Sequence, residues 1–244
     1  MSAPHQQSSA RLRGGSRPRG ILASLLLCAS LAACTAQGPP TAAPSGGIPD
    51  ATPLPLNGYI DAGTYVVTLP DFTVPFEVTV PDGWFVVDGW RLNREEGDVR
   101  EVFLTFLNPA YVPSDGCAWS TPIPRVEPSI EAFVDGLVTQ KSTTTSTPTE
   151  VMVGDYRALE FDYAVEGGIE SGDCRAGHVC VYAETPDDCA SWYMSVLQRE
   201  TYRVVDVHGE RAVLSVGEND DVTDPALVQE ARDVFDSIVF VPSD

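Results

Sequence analysis

Positive charge is scarce in this chain: 15 Lys and Arg stand against 35 Asp and Glu, a formal net charge of −20. Such a surface repels phosphate backbones, so nucleic-acid binding is set aside as a function. Histidine is nearly missing; beyond His5 at the N-terminus there are only His178 and His208. A membrane-spanning run is missing too. The N-terminal apolar stretch Ile21–Ala33 has 13 residues, where a helix needs roughly 20 to cross the hydrocarbon core. No Gly-x-Ser-x-Gly nucleophile elbow occurs, which removes the usual mark of a serine hydrolase. No internal repeat is visible.

What the N-terminus does have is an order of features. Arg11, Arg13, Arg17 and Arg19 precede the apolar run, which closes on Leu31-Ala32-Ala33-Cys34. A cationic start, a short apolar core and a small-residue site form a signal peptide. The cysteine directly after that site resembles the lipobox of bacterial lipoproteins. The resemblance implies that residues 1–33 are removed and that Cys34 becomes a diacylated N-terminus. Two acyl chains on one sulfur anchor firmly without a polybasic patch. Cys28 leaves with the leader. The mature chain keeps 11 Lys and Arg against 35 Asp and Glu, a net charge of −24.

Residues 34–57 read as a linker, with Pro39, Pro40, Pro44, Pro49, Pro53 and Pro55 among Ala, Thr, Ser and Gly. Proline-rich chain extends about 3.1 Å per residue, a reach of about 70 Å from the lipid. Residues 58–244 are then one acidic domain of about 185 residues, large enough for a sizeable core.

Four cysteines remain there: Cys117, Cys174, Cys180 and Cys189. Their spacing lacks the short paired gaps of zinc sites, and an even count in an exported chain points to two disulfides with three possible pairings. The preferred pairing is Cys117–Cys174 with Cys180–Cys189, the second clamping the turn at Thr185-Pro186-Asp187-Asp188.

Short Val-, Phe-, Tyr- and Thr-rich runs predict strands at Thr64–Leu69, Phe76–Val80, Trp84–Val87, Val102–Leu107, Tyr156–Tyr163, Val179–Ala183, Trp192–Gln198, Tyr202–Val207 and Ala212–Val216. His208-Gly209-Glu210 reads as a hairpin turn, with Asp206 and Arg211 as surface features of it. Two helices are expected. One has Ser129 as N-cap and an apolar stripe of Ile130, Phe133, Val134, Leu137 and Val138. The other has Asp224 as N-cap, Pro225 at its first position, and Leu227, Ala231, Val234, Phe235 and Ile238 on its buried face. Ile238-Val239-Phe240 follows as a strand-like tail. Consecutive strands with two separated helices predict an α+β fold, an antiparallel β-sheet flanked by helices.

This sequence of elements resembles a known family. The carriers are the Gly83-Trp84 pair after Phe76–Val80, the mid-chain helix, Val153-Gly154-Asp155-Tyr156, the hairpin about Gly209, and the helix running into Asp236–Phe240. Together, over residues 59–244, they are similar to exported actinobacterial lipoproteins with a PsbP-like α/β/α sandwich. The resemblance implies binding or assembly roles and no shared catalytic centre.

No catalytic, metal or cofactor site is assigned from the sequence. Glu218-Asn219-Asp220-Asp221 with Asp224 is rich in oxygen ligands, but the EF-hand spacing is absent; the expectation is a solvated loop whose last aspartate caps a helix. Glu95-Glu96 is read as an exposed loop between strands, and Ser142–Thr149 as a mobile loop and a candidate for O-linked sugar. Trp84, Trp90, Trp119 and Trp192 are expected as core anchors. The expected role is a non-enzymatic, membrane-anchored, extracytoplasmic lipoprotein binding an envelope protein, a cell-wall component or a small ligand. An envelope hydrolase with a dispersed site and a solute-sensing lipoprotein are the alternatives. A pocket with convergent polar groups would favour a ligand receptor or an enzyme; an exposed apolar face without one would favour a protein partner.

Overall fold

A computed structural model describes residues 51–96, 99–193, 197–219 and 224–241. The leader, Cys28, Cys34 and most of the expected linker lie outside the described residues. The first strand pairing falls at β1 (Thr52–Pro53), within that proline-rich segment.

The chain continues through β2 (Gly58–Ile60), β3 (Gly63–Val67), β4 (Phe76–Val80), β5 (Trp84–Val87), β6 (Arg91–Glu96) and β7 (Val99–Leu107) to helix α1 (Ile130–Val138). Then come β8 (Thr143–Thr145), β9 (Thr149–Val153), β10 (Tyr156–Val165), β11 (Val179–Tyr182), β12 (Ser191–Tyr193), β13 (Arg199–Val207) and β14 (Glu210–Glu218). Helix α2 (Pro225–Asp236) and β15 (Val239–Phe240) close the described chain. The main sheet runs β2-β5-β6-β7-β14-β13-β10-β8, with β9 also on β10. A small sheet runs β1-β3-β4-β15, and β11 pairs β12. All of these pairings are antiparallel except β1 with β3. The molecule is therefore α+β, as the sequence predicts.

Strand alternation divides the main sheet into two faces. Leu104, Val205 and Leu214 pack with Trp84, the small sheet's Phe76 and Val78, and Ala231, Val234 and Phe235 of α2. Their neighbours in sequence, Val204 and Val213, point the other way with Phe161 and Tyr202, against Phe133, Val134 and Leu137 of α1. Each helix thus covers one face. The stripes that make the helices amphipathic are the residues they bury, and each such side chain contributes about 1.5–3 kcal/mol when fully buried. Ser129 Oγ accepts from Ala132 N at 3.2 Å and Asp224 Oδ1 from Ala226 N at 2.9 Å, capping the helices as expected. Val207 pairs with Glu210, and His208 and Gly209 both hold positive φ, the turn that suits a two-residue hairpin.

Both expected disulfides form. Cys117–Cys174 ties the segment before α1 to the segment before β11, and Cys180–Cys189 bridges β11 to the turn that follows it. Asp188 Oδ1 accepts from Cys189 N in that turn.

Four readings need correction. Arg91–Glu96, which includes the supposed loop at Glu95-Glu96, is a strand. Its polar Arg91 and Asn93 face inward and bond each other at 2.8 Å while Leu92 enters the opposite core, so alternation is kept without an apolar stripe. The Ser142–Thr149 run is partly sheet: Thr143–Thr145 pair with Tyr163–Val165, and Thr149 opens β9. Arg211 is not a surface feature. It is 6 % exposed, lies over the Phe133 ring, and donates to Asn108 Oδ1, Glu127 O and Pro109 O. Among the tryptophans, Trp84 and Trp119 are buried but Trp192 is 46 % exposed. Of the strand read over Trp192–Gln198, Trp192 and Tyr193 lie in β12, while residues 194–196 lie outside the described residues.

Candidate functional site

Among the described residues a concavity lies where the first turns of α2 stand over the ends of β7, β14, β13, β10 and β8. It has a volume of about 360 Å³, within the range of small-molecule sites. Sequence dictates its two-sided character. Val228, Ala231 and Arg232 come from one helix face by their three- and four-residue spacing, and Val102 and Val216 rise from adjacent strands to complete an apolar wall. The opposite side is polar, built by Thr144 and Ser146 at β8, Asp162 on β10, Arg199 and Thr201 on β13, and Glu218 on β14.

Register sets the polar geometry. Asp162 stands opposite Thr201, and Arg199 opposite Glu218. The Thr201 hydroxyl donates to Asp162 Oδ1 at 2.7 Å and accepts from Arg232 Nη1 at 3.3 Å. Ser146 Oγ accepts from Asp162 N at 2.8 Å, while Ser146 N donates to Asp162 O, fixing the aspartate's backbone. No salt bridge within 4 Å joins Arg199 or Arg232 to a carboxylate among the described residues.

Tyr163, Glu200 and Gly217 border the cavity at strand level, but alternation turns Tyr163 and Glu200 toward the α1 side. There Glu200, 5 % exposed, lies among Tyr163, Tyr193 and Tyr202. Burial pushes its carboxyl above the usual glutamate range, opposed by the Arg91 charge and nearby hydroxyls. The Tyr193 and Tyr202 hydroxyls come near enough to temper the shift, yet neither completes a hydrogen bond. Gln198 Nε2 reaches Glu200 Oε1 at 3.4 Å. Gly217 permits this packing, because a Cβ there would stand 2.6 Å from Glu200 Cγ and collide with the Phe103 ring. Tyr163 donates instead to Gln140 Oε1, whose amide nitrogen donates to Pro113 O and Val181 O.

No family model matches the chain, and no curated protein matches it. What the site does must be argued from its residues.

Three carboxylates, Asp162, Glu200 and Glu218, border the cavity and raise the question of acid–base chemistry. Asp162 and Glu200 lie on opposite faces of the sheet, so these two cannot flank one reacting bond as a glycosidase pair must, whereas Glu218 shares the α2 face with Asp162. His178 sits between Trp119 and Trp192, with ring centroids 5.9 and 5.3 Å away, and His208 Nε2 lies 3.0 Å from Tyr156 Oη. Neither histidine lines the cavity. Among the described residues no three metal-ligating side chains converge, and no helix is long and apolar enough to cross a membrane. Asp224 of the acidic segment caps α2, while Asp220 and Asp221 lie outside the described residues.

Sequence reasoning named Glu218 in a solvated acidic loop, and Thr144 and Ser146 in the Ser142–Thr149 run, but placed none of them at a cavity; Glu218 is instead the last residue of β14. A further sequence signal is Arg199-Glu200-Thr201, three consecutive polar residues opening β13.

Proposed function

We infer that this chain is a lipid-anchored, extracytoplasmic binding module of PsbP-like architecture that holds a small ligand beneath α2. The observation carrying the binding role is the cavity of about 360 Å³ lined by Val102, Val216, Val228 and Ala231 together with Asp162, Thr201 and Arg232, which hydrogen bonds join. An apolar site with a few placed polar groups is how proteins hold small ligands. One helix on each face of an antiparallel sheet supports the PsbP-like reading. Leu31-Ala32-Ala33-Cys34 supports attachment to the cell membrane through lipid on Cys34, with the domain on the extracytoplasmic side.

Saturation-transfer NMR of the detergent-solubilised full chain against a mixed-charge fragment set tests the reading. Val228→Trp fills the cavity from a half-buried position and leaves the helix's fully buried residues intact. Fragments that bind wild type and are lost from Val228→Trp support a ligand site. No bound fragment, or undiminished binding to the variant, overturns it.

A further inference from the structure

The cavity's charges are balanced in an unusual way for so acidic a chain. Two arginines, Arg199 and Arg232, and two carboxylates, Asp162 and Glu218, stand on its α2 side, Glu200 being turned to the other face of the sheet, yet none of these four is in an ion pair with another. Arg199 and Glu218 are directly opposite on β13 and β14, a placement in which side chains normally meet. Arg232 Nη1 and Asp162 Oδ1 bond the same Thr201 hydroxyl, so they lie no more than about 6 Å apart. They lie beyond 4 Å, since they form no ion pair. The gap between them is one in which a single molecule can face a cation on one side and an anion on the other.

We propose that the cavity binds a free α-amino acid with an aliphatic side chain, a claim that rests on the reading of this cavity as a ligand site. The ligand's carboxylate takes the unassigned N–H donors of Arg232, with Arg199 beside them. Its ammonium donates to Asp162 Oδ2, the oxygen not occupied by Thr201. Val102, Val216, Val228 and Ala231 receive the side chain. Charge selects this class over its neighbours. A simple anion meets Asp162 and Glu218 and the repulsion of a chain with net charge −20. A simple cation leaves both arginines unanswered. A zwitterion answers both signs and carries no net charge.

Isothermal titration of the full chain in detergent with L-leucine, N-acetyl-L-leucine and L-leucinamide tests this. L-leucine should bind, and each blocked form should bind at least about tenfold more weakly, the expected loss for one charge-assisted hydrogen bond. Arg232→Ala and Asp162→Asn, both at exposed positions, should weaken L-leucine to a similar degree. N-acetyl-L-leucine or L-leucinamide binding as tightly as L-leucine would overturn the proposal, as would either variant binding L-leucine unchanged. Failure of L-leucine to bind, while fragments still bind wild type and not Val228→Trp, would overturn the amino-acid class alone. Failure of every fragment would overturn the cavity reading as well.

Discussion

Arg211 offers the sharpest check on the packing, because sequence and structure place it differently. Its guanidinium is nearly all buried, 4.7 Å from the Phe133 ring centroid, and it links β14 to the segment that leads into α1. Arg211→Ala strands the buried Pro109 carbonyl, which costs about 1–3 kcal/mol. It also removes a desolvated cation–π contact of about 1–2 kcal/mol and the packed stem. Asn108 and Glu127 can turn to water and add little. Burial also lowers the Arg211 pKa to about 10, so part of the loss is offset by relief of desolvation. The expected net cost is about 2–4 kcal/mol, or about 5–12 °C in Tm for a domain of this size. Arg211→Met, which keeps the stem, should lose about half as much. Urea unfolding followed by tryptophan fluorescence measures both, and amide hydrogen exchange should speed up at Asn108 and Ala110. An Arg211→Ala protein within about 0.5 kcal/mol of wild type would refute the clamp and return Arg211 to the surface.

Three further outcomes are expected. Glu200 has a folded pKa above its unfolded value, so the folded state binds more protons between the two, and its share of stability is lost as pH rises through that interval. Glu200→Gln should flatten the fall in stability from about pH 4 upward and be the more stable protein at neutral pH; a slope unchanged from wild type refutes the buried-acid assignment. Replacing Cys117 and Cys174 by serine should cost about 4 kcal/mol, and Cys180 with Cys189 about 2.5 kcal/mol, from closed loops of separation 57 and 9; equal losses in denaturant unfolding would count against chain entropy as the cause. Wild type should sediment with membranes and carry a lipid-sized added mass at Cys34, while Cys34→Ala should do neither; identical fractionation of the two ends the anchor proposal.

The fold was legible where one face of an element is apolar. Phe76–Val80 and Trp84–Val87 were readable to the residue because their alternating side chains enter one core. Both helices showed in their apolar stripes and capping residues. The strand Arg91–Glu96 was not legible, because its inward positions carry polar Arg91 and Asn93, joined by a hydrogen bond, in place of an apolar stripe. Thr143–Thr145 was hidden in a hydroxyl-rich run whose pairing depends on β10 being in place. The cavity was beyond local reading for a similar reason. Thr201 meets Asp162 across 39 residues and Arg232 across 31, and only the register of β10 with β13 and the placing of α2 bring the three together. Arg211 looked solvated because a charged residue just past a hairpin turn usually is, and its partners lie 84 to 103 residues earlier.

The most direct test of ligand binding under α2 is a crystal structure of the protein grown with the tightest-binding fragment. Density between Val228 and Ala231 on one side and Thr201 and Asp162 on the other, in contact with Arg232, is the expected result. A fragment bound elsewhere, such as against His178 and Trp192, with the space under α2 empty, would contradict it.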